Sequence, residues 1–200
     1  TFFGATTKAN GQARLIPFSR GQGTSLVLEF GNLYIRFFAN DGPVRTDDIA
    51  GTYTQSGTTV TVTKSSHGYS ASNEVHLEHT SGAGVDGFYT IATVADVNTF
   101  TVTSTTSQTV SSSNVNISQR AEITTPYTAA QVVDLAFTQS ADVLFLAHPS
   151  HPPARLERND TNDWTLTELL PSPGSSPAEV LTDGPFMGTN TTDTTLTVAL

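Results

Sequence analysis

The 200-residue chain contains no cysteine, one methionine and one tryptophan, and only 14% of its residues are charged. Without thiols there are no disulfides, no thiolate metal ligands and no cysteine nucleophile. No run of about 18 apolar residues occurs, so no membrane-crossing helix is expected. Lys and Arg number 9 against 18 Asp and Glu, for a net charge of −9. That balance supplies no basic stripe for gripping phosphates, and an acidic wall repels nucleic acid instead of holding it. Nucleophile-elbow, P-loop and zinc-protease patterns are missing too. Thr80-Ser81-Gly82-Ala83-Gly84 is Gly-rich but has no Lys and no following helix, so it reads as a hairpin loop. The expectation is a non-enzymatic protein with no cofactor and no metal.

Thr, Ser, Val and Gly are abundant instead. β-branched side chains lose rotamer freedom in helices and pack well on a pleated surface, so the fold is expected to be mainly β. Residues 13–18, 25–30 and 33–38 read as strands, the last two flanking Gly31-Asn32 as the centre of a type II′ hairpin turn. Apolar residues fill nearly every position of that pair, so both faces are expected to be covered, by other elements or by another subunit.

From Ala50 to about Ile117 aromatics thin out and Thr and Ser dominate. Residues 58–63, 74–78, 89–94, 99–103 and 114–117 alternate with period two between turn clusters. That pattern describes a small antiparallel sandwich or barrel. Removing it joins Phe38–Gly42 to Ala121–Tyr127, so residues 50–117 read as an insertion at a turn, where a longer loop costs little extra entropy. Residues 1–49 and 118–200 then form one discontinuous β domain. After the insertion, Thr128-Ala129-Ala130-Gln131 has the form of a capping box and predicts one short helix over about 129–136. Residues 141–147, 154–158 and 164–169 read as strands, His148–Pro153 as a rigid connector, and Pro171–Pro177 as a surface linker. Asp183-Gly184-Pro185-Phe186 reads as a turn before a terminal strand. Residues 13–38 and 135–169 form a faint repeat of short meanders, which suggests propeller-like blades. Both chain ends fall in mid-pattern, so a fragment of a longer protein is expected.

Among candidate chemical groups, His76 and Glu78 share a strand face while His79 points away, too few ligands for a closed zinc site. His148 and His151 belong to a stiff loop, His67 to a turn, and Asp47-Asp48 to a solvated turn. Asn116-Ile117-Ser118, Asn159-Asp160-Thr161 and Asn190-Thr191-Thr192 match the glycosylation triplet, as chance allows in a Thr-rich chain.

Ala13–Phe18, Val27–Phe38, Thr125–Thr128, Leu135–Pro149 and Pro152–Leu156 resemble the early part of tail nozzle and tail tubular proteins of short-tailed phages. Phe137-Thr138-Gln139-Ser140-Ala141-Asp142 with His148-Pro149 is the most specific stretch. Gly51-Thr52-Tyr53, His67-Gly68, Val85–Tyr89 and Thr99–Val102 resemble a small β-domain common in phage tail proteins. It is named after the FCCH insert of ubiquitin-activating enzymes and implies no ubiquitin chemistry. Together the resemblances imply a propeller-containing subunit of a virion tail ring, usually a sixfold homo-oligomer, that contacts adaptor and fibre proteins. DNA would pass through it without specific binding. Such proteins are longer, so this chain is expected to hold only the beginning of the fold. Phe30, Tyr34, Phe37 and Phe38 are the candidate subunit contacts. The alternative is an adhesin-like carbohydrate-binding module using Tyr53, Tyr69, Phe88 and Tyr89. A third reading is an enzyme fragment whose active site lies elsewhere.

Overall fold

The computed structural model describes residues 8, 11–20, 24–39 and 42–169. The linker at 171–177, the turn at 183–186, the terminal strand and parts of the loops at 19–24 and 40–43 lie outside the described residues. The described residues are nearly all β and form three antiparallel sheets.

The first sheet is a meander of β1 (Arg14–Arg20), β2 (Thr24–Gly31), β3 (Tyr34–Ala39) and β4 (Gly42–Pro43). Strand alternation sends Ile16, Phe18, Leu26, Leu28, Phe30, Ile35 and Phe37 to one face, where each is at most 1% exposed. The β2–β3 turn is centred on Asn32-Leu33, one residue later than Gly31-Asn32, because Gly31 already pairs with Tyr34. A side chain at Gly31 would overlap the Tyr34 ring, so glycine is needed there for close approach. Leu33 takes the positive φ of 66° that the turn requires. Its backbone is clasped on both sides: Leu33 N–H donates to the Tyr127 carbonyl and Thr125 N–H to the Leu33 carbonyl.

The second sheet consists of β5 (Ile49–Thr63), β6 (Glu74–His79), β7 (Gly87–Asp96) and β8 (Thr99–Ser118). β8 pairs along one edge with nearly all of β5, and along the other with β7 at its start and β6 at its end. Its inner face carries a separate apolar cluster of Tyr53, Val60, Val62, Val75, Leu77, Ile91, Phe100, Val102, Val115 and Ile117. Buried Gln55 fills the bulge in the β5–β8 ribbon, donating to the Gly57 and Thr106 carbonyls and accepting from Gln108.

The chain returns through β9 (Glu122–Thr124), which adds to the free edge of β3. Where a helix over 129–136 was expected, there is a single 3-10 turn, Val132–Asp134. Half of the capping box forms: Thr128 N–H donates to Gln131 Oε1. The Thr128 hydroxyl also turns to Gln131, so it caps no backbone donor. Arg14 then binds the Val132 and Val133 carbonyls, and the chain extends at Leu135.

The third sheet is a second meander of β10 (Ala136–Ser140), β11 (Val143–His148), β12 (His151–Arg158) and β13 (Trp164–Glu168). The expected rigid connector is therefore a strand, with only Pro149-Ser150 outside the ladder. Pro152 and Pro153 are accommodated where the register shifts between Leu146 and His148. Leu144, Leu146, Ala154, Leu156 and Trp164 join the inner residues of the first sheet and Val44, Ala121, Tyr127, Val132 and Leu135 in one core. The two meanders run in matching order, with the first strand of one beside the first of the other. Gln139 on β10 imitates a backbone partner for β1, accepting from Ser19 N–H at 2.9 Å and donating to the Ser19 carbonyl at 2.7 Å.

Candidate functional site

Of the expected contact aromatics, Phe30, Tyr34 and Phe37 are buried within the chain itself. Phe38 alone is half-exposed. It lies on the outer face of the first meander in a row that crosses four strands: Pro17, Val27, Phe38 and Pro43. Leu15, 65% exposed, flanks that row. The outer face of the second meander also carries an apolar strip at one end, beside a polar row that includes Thr138, Arg155 and Thr167. Phe145, Ala147, Pro153 and Leu169 surround a shallow depression of about 300 Å³. Each meander thus keeps one covered face and one apolar strip open to solvent.

Beside the strip, Glu29, Tyr34 and Arg36 form a polar yet buried patch on the same outer face. Tyr34 Oη donates to Glu29 Oε1 at 2.6 Å, with Glu29 2% exposed. Burial, and then the Glu29 carboxylate, push the Tyr34 phenol up to about 12. Arg36 Nε donates to Glu122 Oε2 at 2.8 Å, and Lys8 pairs with the other oxygen of the same carboxylate.

Beside this face the chain enters and leaves the second sheet. Thr46 N–H donates to the Gln119 carbonyl, Gln119 N–H to the Thr46 hydroxyl, and Arg45 stands opposite Arg120 in a two-residue bridge. Arg120 is fixed by two partners from the second sheet: Glu74 bonds its Nε, and the Phe88 ring lies 3.8 Å beneath its guanidinium. Arg45 bonds Nδ1 of His76. Burial, then the Arg45 charge, hold the His76 imidazole below its ordinary value. Lys8, Arg36 and Arg120 face Glu74 and Glu122 across a polar cleft of about 690 Å³ at this junction.

No family model and no curated protein matches the chain. Among solved structures it is similar to the phage phi92 endosialidase, with a TM-score of 0.31 and 16% identity, covering 80% of this chain and 30% of that one. The chain spans under a third of that protein's length, and so slight a likeness defines neither a fold nor a function.

The aromatics named for sugar stacking are largely engaged elsewhere. Tyr53 is 1% exposed and its hydroxyl donates to the Ser81 carbonyl. Phe88 is roofed by Arg120, and Tyr89 Oη donates to the Val85 carbonyl. Tyr69 packs beside His67, ring centroids 5.5 Å apart. His79 faces inward, with Asp86 Oδ1 accepting from both its backbone N–H and Nδ1. His151 meets Gln131 and Tyr127, and Asp47 accepts from Asn162. Among the described residues no group of three or more His, Asp or Glu is placed to hold a metal. The junction cleft had no signature in the sequence, since Arg36, Glu74 and Arg120 are far apart in the chain and meet only through strand pairing.

Proposed function

We propose that this chain is part of a non-catalytic structural subunit of a short phage tail, in the nozzle or tail tube. Residues 1–49 and 118–200 would make the ring-building domain, and residues 50–117 an inserted domain carried outside it. One observation carries the reading. Two four-stranded meanders pack face to face with first strand beside first strand, and each leaves an apolar strip open on its other face. Strips of this kind suit continued stacking, by further meanders of a propeller or by a neighbouring subunit in a closed ring. Phe38 and Phe145 are the contact residues in this account; Phe30 and Phe37 hold β2 and β3 in place from the core side, and Tyr34 is buried beside Phe38 against Glu29. The sequence resemblance to tail nozzle and tubular proteins supports the same assignment, and net negative charge suits a conduit that must not grip DNA.

Electron microscopy of the purified full-length protein tests this. Closed rings are expected. Monodisperse monomers, or elongated trimers typical of fibres, would overturn it.

A further inference from the structure

The chain has 9 basic residues. Lys8, Arg36, Arg45 and Arg120 gather at the junction between the second sheet and the paired meanders. Arg45 and Arg120 stand directly opposite each other, an arrangement that like charges disfavour. Arg36 and Arg120 each spend Nε on a carboxylate, which fixes the guanidinium plane and leaves the terminal nitrogens without a hydrogen-bond partner among the described residues. Both arginines line the 690 Å³ cleft. Two oriented guanidiniums opening into one cavity form a receptor for a planar anion.

The remaining lining narrows the class of ligand. Thr46, Ser72, Asn73, Thr90 and Gln119 add hydroxyls and carboxamides to the lining. Asn73 Oδ1 accepts from Ser70 N–H and Gln119 Nε2 donates to the Glu74 carbonyl, which leaves the Asn73 amide N–H as a donor and the Gln119 carboxamide oxygen as an acceptor toward the cleft. Glu74 and Glu122 offset most of the local positive charge, and the whole chain is strongly acidic, so polyphosphates and nucleic acids are repelled. What fits is a singly charged, hydroxyl-rich molecule. We propose that the cleft binds an acidic saccharide, with its carboxylate on Arg36 and Arg120 and its hydroxyls on Asn73 and Gln119. This site is separate from the apolar strips and does not depend on the ring reading.

Titration of the full chain with glucuronate, followed by amide NMR, tests the proposal, with glucose and inorganic phosphate run in parallel. Glucuronate should shift the Asn73, Gln119 and Arg120 amides saturably, and glucose and phosphate should bind there far more weakly. Arg120→Gln should weaken glucuronate by about tenfold or more, the loss of one charge-assisted contact. Asn73→Ala keeps every charge and should weaken it several-fold with the amide spectrum still dispersed. The proposal is overturned if the junction amides do not respond, if phosphate or glucose binds there as tightly, or if Asn73→Ala binds like the parent chain.

Discussion

Trp164 lies nearly parallel to Phe37, ring centroids 4.4 Å apart, and meets Phe18 edge-on at 4.9 Å. Trp164 comes from the last strand of the second meander, Phe18 and Phe37 from the first. Aromatic pairs add about 0.5–1.5 kcal/mol beyond area burial. This triad is therefore a principal fastening between the two meanders, made by chain segments on opposite sides of the second sheet in sequence.

Trp164→Ala should destabilise the paired meanders by about 3–5 kcal/mol. Chemical denaturation followed by circular dichroism will show it. The apolar cluster around Phe100 shares no residue with that core, so hydrogen exchange of β5 and β8 amides should change little in the same variant.

The Tyr34–Glu29 contact gives a pH dependence. The folded phenol titrates at about 12 against an ordinary 10.0. Its contribution to stability is complete below pH 10 and is lost as pH rises toward 12. Tyr34→Phe should flatten the fall in melting temperature across that window. It should also cost about 1–3 kcal/mol at neutral pH by leaving the buried Glu29 carboxylate without its donor.

Asp86 behaves oppositely. The hydrogen bond from the His79 backbone N–H, aided by the His79 ring, holds its carboxyl below the ordinary value of 3.8. Stability from this contact is present above that pH and is lost as pH falls through the depressed folded value. Amides of the 80–86 loop should therefore lose protection, relative to the unstructured exchange rate at the same pH, as the solution is acidified, and Asp86→Asn should show the lowered protection already at neutral pH.

Phe145→Asp places a charge in the open strip of the second meander, where no covering element is described. Melting temperature of the isolated chain should move little. Assembly of the full-length protein, read by light scattering, should fall sharply if that strip is a subunit contact.

Much of the strand pattern was legible. The period-two Thr/Val segments became β5–β8, and residues 143–147, 154–158 and 164–168 became strands at the expected places. The misses share a cause in tertiary contacts. The Gly31-Asn32 turn slid by one residue because Gly31 is needed beneath Tyr34. The helix at 129–136 stopped after three residues because Arg14, over a hundred positions away, takes its carbonyls and β10 begins at once. The connector at 148–153 joined the sheet through a register shift that no local rule announces. An apolar run such as Leu26–Phe38 also cannot say whether its cover comes from the same chain, and for Phe30 and Phe37 it does.

The proposed two-domain organisation is tested most directly by replacing residues 49–117 with Asn-Gly. Thr46 and Gln119 are already hydrogen-bonded, so the shortened chain closes a tight turn where the backbone ends meet. Trp164, the single tryptophan, reports on the paired meanders alone. The account predicts that the shortened protein keeps the buried, blue-shifted Trp164 emission and unfolds in one cooperative transition. Emission of a solvent-exposed tryptophan in native buffer, with no unfolding transition, would contradict it.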